Sequence, residues 1–191
     1  MPTKSDFDKI SKELKALDET REEAIAKSRD IIRLSKQIIY SLHRSDTKTA
    51  SELMKKIKLD TSLLKESHFQ SDTNMPFVAV QEYVEAACYF SYITKGKIPS
   101  KEALNVTVEA YLCGLADLTG ELMRKAIDFL INNKFNDAEK IKNLVDEIYG
   151  GFLQLDLRNG EIRKKSDSIK RNLTKIQDAL FEAGLKRRLK G

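Results

Sequence analysis

Proline, glycine, cysteine and histidine are all scarce in this chain: three, eight, two and two among 191 residues. The prolines (Pro2, Pro76 and Pro99) leave long stretches with nothing to interrupt a helix. No Asn-Gly or Asp-Gly pair joins two alternating apolar runs, and no period-two pattern is sustained, which argues against hairpins and sheets. Cys88 and Cys113 sit inside apolar segments, where free cysteine behaves as a small buried hydrophobe, and neither has metal-ligand spacing around it. So little cysteine points to a reducing, intracellular setting. The opening residues lack the apolar h-region of a signal peptide, and no uncharged apolar run reaches membrane-spanning length. A cytoplasmic protein with no membrane partner is expected.

What is present is helical. Apolar residues make up 41% and charged residues 33% of the chain, a balance that fits a helix-rich globular protein rather than a disordered one. Helical periodicity runs over about residues 6–44, where Ile25, Ile32, Ile39 and Leu42, with Ile31, Leu34 and Ile38, form an apolar stripe. Ser45-Asp46-Thr47 offers cap chemistry for a second helix to about residue 66, and Ser71-Asp72-Thr73-Asn74 for a third beginning at Pro76. Ser100 caps a helix expected to run to about residue 132. Asn136 and Glu139 suggest a capping box for a helix ending at Gly150-Gly151, and a last helix covers residues 161–182 before Gly184. The expected fold is all-α, a single bundle of six to seven helices over residues 1–191. The net charge of +5 is compatible with a nucleic acid or another acidic partner and decides nothing alone. The basic stretch at residues 186–190 reads as a solvated terminus.

Two helical segments are apolar almost all round, and each is broken by a pair of carboxylates. Residues 76–92, PFVAVQEYVEAACYFSY, carry Glu82 and Glu85; residues 110–123, AYLCGLADLTGELM, carry Asp117 and Glu121. Spacings of three and four put each pair on one helix face. Helical projection aligns Val78, Glu82, Glu85 and Tyr89 on the first segment. On the second it aligns Ala110, Gly114, Asp117, Glu121, Arg124 and Asp128, with small residues that permit close approach. A helix apolar all round is a buried helix, so each acidic stripe faces a partner or a cavity. If the stripes face each other, Arg124 is the nearest evident countercharge. Like charges about 5 Å apart repel by roughly 3 kcal/mol at an effective dielectric near 20. Either some acids stay protonated, or a divalent cation completes the cluster. An all-oxygen donor set suits Mg²⁺ or Mn²⁺. Spacing alone leaves open the alternative that each acid pairs with a lysine or arginine from a neighbouring helix.

At these residues the sequence resembles the translin/TRAX family, on its TRAX branch. GLADLTGELMR (residues 114–124) and QEYVEA (residues 81–86) resemble that branch's acidic motifs. SRDIIRLSKQIIYSLHR (residues 28–44) resembles the family's long first helix; VDEIYGGF (145–152) and LRNGEIRKKSDSIKRNLTKIQDALFEAG (157–184) resemble its C-terminal helices. The resemblance implies seven helices per chain and a hollow, octamer-type homo-oligomer. It also implies a Mg²⁺-dependent endoribonuclease for single-stranded RNA, with a translin-like partner subunit as a further expectation. The family's catalytic acids fall on Glu82, Glu85, Asp117 and Glu121 without substitution, while the long insertion and basic extension of animal TRAX are absent.

The expected chemistry is metal-assisted phosphodiester hydrolysis, with the four acids as ligands. Arg124, Arg29, Lys36, Arg163 and Lys164 are the candidates for phosphate contact. Tyr83, Tyr89 and Phe90 are expected in the core rather than stacked on bases. His43, at the end of the long helix, is a weaker candidate for RNA contact. The rival from another class is a non-catalytic cage binding single-stranded RNA or DNA, which would not need the intact acidic set. A ferritin-like redox bundle is disfavoured because its Glu-x-x-His motif is missing.

Overall fold

Thr3 starts the first helix, α1 (Lys4–His43), through a capping box: Asp6 N donates to Thr3 Oγ1 at 3.3 Å and Thr3 N to Asp6 Oδ2 at 2.7 Å. The computed structural model describes residues 2–67 and 74–188, and the side chains of residues 62–67 and 188 lie outside that description. Ser45, in the left-handed region at φ 61°, turns the chain into α2 (Thr47–Ser67), and Asp46 Oδ1 accepts Thr49 N at 3.0 Å. Three of the residues expected to cap α3 (Met75–Lys95), Ser71, Asp72 and Thr73, lie outside the described residues. The fourth, Asn74, makes no side-chain cap bond.

The helix expected from Ser100 to residue 132 is two helices. Ser100 caps the single turn α4 (Lys101–Leu104), Asn105 adopts φ 49°, and Thr107 caps α5 (Val108–Ile131) by accepting Ala110 N at 3.3 Å. The β-branched run Val106-Thr107-Val108 is a poor helix interior, and Asn tolerates the left-handed turn that ends α4. Helix α6 (Phe135–Leu153) begins ahead of Asn136 without the expected capping box and continues through Gly150-Gly151. Helix α7 (Glu161–Arg188) likewise passes through Gly184. A helical glycine costs about 1 kcal/mol against alanine, and it ends a helix only when the chain adopts the left-handed turn. Gly96, at φ 68°, closes α3 in this way. No strand occurs among the described residues, and none of their helices is long and apolar enough to cross a membrane.

Contacts between helices give their directions. On α1 and α3, Lys36 lies near Glu82 and His43 near Tyr89; on α5 and α7, Asp117 meets Lys165 and Thr119 meets Asn172. Gly114 backs onto Gln81 and Val84, and Glu121 reaches His43. Helices α1, α3, α5 and α7 therefore run parallel, and the segment holding α4 crosses back along the bundle between α3 and α5. The core joins Ile31, Leu34, Ile38 and Leu42 of α1 to Val84 and Tyr89 of α3, Leu118 and Leu122 of α5, and Ile169 and Ile176 of α7. On α1 the buried stripe is Ala24, Ser28, Ile31, Ser35, Ile38 and Leu42, whereas Ile25 and Ile32 of the expected stripe are half-buried at its edge.

Candidate active site

A missing side chain sets the spacing of the site. A Cβ on Gly114 would lie 2.6 Å from the Gln81 carbonyl oxygen and 2.7 Å from Val84 Cβ, so only glycine lets α5 approach α3 this closely. That approach brings Glu82 and Glu85 of α3 beside Asp117 and Glu121 of α5, all four half-buried. The environment of Glu85 reports the cluster directly. Burial, then the charges of Asp117, Glu82 and Glu121, push its carboxyl up to about 8 against weaker opposition from Lys165. Glu82 is also raised, chiefly by burial, with Lys36 and Lys165 opposing and Asp117 adding.

The countercharges differ from expectation. Arg124 is 61% exposed and its Nη1 stands 3.8 Å from Glu121 Oε2. The nearer cation is Lys165 of α7, whose Nζ donates to both oxygens of Asp117 at 2.7 Å. Gln81 Nε2 donates to Asp117 Oδ2 at 2.6 Å. Glu121 Oε2 meets His43 Nε2 at 2.5 Å, and Tyr89 Oη lies 3.3 Å from His43 Nδ1. The alternative left open by spacing, acids paired with cations from other helices, thus holds for Asp117.

Lys165 and Gln81 are the site residues that sequence reasoning did not assign, and His43, weighed there only for RNA contact, meets Glu121. Gln81 had a signal, as a polar residue in an apolar helix one position before Glu82. Lys165 had a weaker one: with Asn172 it flanks the buried Ser166, Ile169, Leu173 and Ile176 stripe of α7. Arg163 and Lys164, the expected residues on that helix, are exposed, and no contact of either with the four acids occurs among the described residues. Arg29 and Lys36 are exposed on α1 and line a groove of about 690 Å³ with Arg33 and Tyr40, Lys36 near enough to oppose the charge of Glu82. Tyr83 and Tyr89 are buried and Phe90 packs against the core. His68 lies outside the described residues.

As the side chains stand, no group of three or more His, Cys, Asp or Glu among the described residues is gathered closely enough to hold a metal ion. The donor chemistry nonetheless fits a hard divalent cation: four carboxylates stand together, with Glu85 raised to about 8 by burial and by the charges of the other three. Cys88 and Cys113 are buried free thiols. Burial, and then the charge of Glu85, pushes the Cys88 thiol up to about 12, away from the nucleophilic thiolate.

Residues 19–187 match the family model described as Translin family. An uncharacterized protein of Methanocaldococcus jannaschii is 30% identical, over 78% of this chain and 70% of its own length. Translin-associated protein X of Pongo abelii is 28% identical, over 92% of this chain and 76% of its own length. Among solved structures, the crystal structure of apo-NeC3PO superimposes with a TM-score of 0.88 at 29% identity, covering 96% of this chain and all of that one. AfC3PO in its duplex RNA complex gives 0.81 at 26% identity, covering 95% and 97%. A family model spanning nearly the whole chain, and a shared fold, establish that this protein belongs to the Translin family.

Proposed function

We propose that this chain is a metal-dependent endoribonuclease that cuts single-stranded RNA and works as a homo-oligomer. The observation that carries the reading is the cluster around Glu85: Glu82, Asp117 and Glu121 crowd a half-buried carboxyl, with Lys165 the one opposing cation acting on it among the described residues, an arrangement costly to fold without a task. The RNA duplex bound by its relative AfC3PO supports RNA as the ligand class. Glu82, Glu85, Asp117 and Glu121 would hold Mg²⁺ or Mn²⁺. When bound, such an ion would supply Lewis acidity toward a phosphate and would lower the pKa of a water toward the hydroxide nucleophile. Lys36 and Arg124, exposed beside the acids, bind phosphate oxygens, and Gln81 and His43 orient Asp117 and Glu121.

The test is cleavage of a labelled single-stranded RNA with Mg²⁺ and with EDTA, alongside Asp117→Asn and Glu85→Gln. Mg²⁺-dependent cutting lost in both variants, with RNA binding retained, supports the reading; cutting unchanged in both would sink it. One observation favours a second reading, a non-catalytic binder of single-stranded RNA or DNA: Lys165 and His43 give two of the acids protein partners of their own. That reading predicts salt-sensitive binding, indifferent to EDTA, and no products. An octamer-type assembly, alone or with a translin-like subunit, predicts a solution mass far above the 21.8 kDa of the chain.

A further inference from the structure

Helix α1 carries one heptad register along its whole length, and only half of it is covered. Phe7, Ile10, Leu14, Leu17, Arg21, Ala24, Ser28, Ile31, Ser35, Ile38 and Leu42 follow in unbroken steps of three and four. From Ala24 onward every one of these positions is buried in the bundle. Before it, Phe7 is 60%, Ile10 47%, Leu14 56% and Leu17 46% exposed. The same register therefore continues past Arg21 as an exposed apolar ridge at Phe7, Ile10, Leu14 and Leu17, a pattern that specifies helix-on-helix burial. Asp6, Glu13 and Asp18 flank this seam, while Lys9, Lys12 and Lys15 project to the far side of the helix.

The complementary surface lies on the same chain at the other pole. Because the odd-numbered helices run parallel, the arm leaves the bundle near the start of α3, where Met75 lines a groove with Arg29 and Ile32. At the opposite end a groove of about 830 Å³ opens between α5, α6 and α7, lined by Ile127, Ile131, Phe135 and Ala183. Its rim carries Lys186 and Arg187 against Glu182, and Ile131 on its wall is 74% exposed. Acid flanks the ridge and base flanks the groove. A continuous helix cannot fold back to reach its own far end.

We propose that the α1 arm of one copy docks its Phe7–Ile10–Leu14–Leu17 seam into the Ile131–Ala183 groove of a second copy. The contact is head-to-tail, so repetition closes a ring or extends a filament. This inference rests on the homo-oligomer in the proposed function, not on cleavage.

The test combines light scattering with disulfide trapping. Leu14→Glu, at an exposed position that leaves the bundle core untouched, should lose the assembled species while keeping its helical circular dichroism. Ile10→Cys and Ala183→Cys proteins, prepared separately and mixed under oxidant, should cross-link only in the mixture, since Cys88 and Cys113 are buried. Cross-linking of Ile10→Cys alone would mean that arms pair with arms and would overturn the proposal. So would an assembly whose mass ignores Leu14→Glu, or a mixture that never cross-links. A wild-type monomer would remove the oligomeric reading itself, a result distinct from an oligomer built through another surface.

Discussion

Lys165 Nζ stands 2.7 Å from each carboxylate oxygen of Asp117, so an ammonium from α7 holds the acid that α5 presents to the cluster. Both side chains are mostly buried, with 16% and 26% exposed. Lys165→Met keeps the aliphatic stem and removes the charge, leaving Asp117 with Gln81 as its described donor. In EDTA this variant should lose about 1–3 kcal/mol of stability, the range for stranding a partly buried charge. With Mg²⁺ the loss should shrink if, as proposed, a bound cation can replace the missing one. Urea denaturation in both conditions checks this; equal stability in EDTA would show that the pair contributes nothing.

Gly114 and Gly120 sit on the same helix and should respond oppositely to alanine. At Gly114 the new methyl would meet a backbone oxygen at 2.6 Å, which cannot move aside without shifting α3. Gly114→Ala should therefore destabilise by about 1–3 kcal/mol. At Gly120 the nearest atom is Asn172 Nδ2 at 3.8 Å, ordinary contact. Gly120→Ala should stabilise by about 0.5–1 kcal/mol through helix propensity. Thermal melts of the two variants decide it, and a shared sign would contradict the packing described.

The raised carboxyl of Glu85 makes metal-free stability depend on pH. Its unfolded value is near 4.5 and its folded value about 8, so the protonated form is favoured by folding. The stabilisation from keeping it neutral is complete below pH 4.5 and fades as pH rises through about 8. In EDTA the slope over that window should approach, at most, about 1.4 kcal/mol per pH unit. Glu85→Gln, which stays neutral, should flatten it. Denaturant unfolding of both proteins across the window tests the sign, and parallel curves would refute it.

His43 and Glu121 should be energetically coupled. Their contact joins the end of α1 to the middle of α5, with Tyr89 on the other ring nitrogen. A double-mutant cycle of His43→Ala and Glu121→Gln in EDTA should give a coupling of about 1 kcal/mol or more. Additive losses would mean the two groups do not interact in solution.

Much of this was legible in the sequence because it is local. The spacing of three between Glu82 and Glu85, and of four between Asp117 and Glu121, put each pair on one face whatever the helices pack against. The nearly unbroken apolar surroundings required those faces to be enclosed. Among the expected caps, Ser100 marks a real helix start and Asp46 accepts a backbone N–H in the first turn of α2. The break at Asn105 escaped because helical phase carries on across a short interruption.

What only the tertiary structure decided is which groups oppose the acids. Lys164 and Lys165 differ by one position, about 100° around a helix. That rotation sends Lys164 into solvent and Lys165 onto Asp117. His43 reaches Glu121 because α1, α3 and α5 run parallel at one axial register, 78 residues apart in the chain. Periodicity fixes directions within a helix. The rotation and register between helices come from packing, above all from the close approach that Gly114 permits.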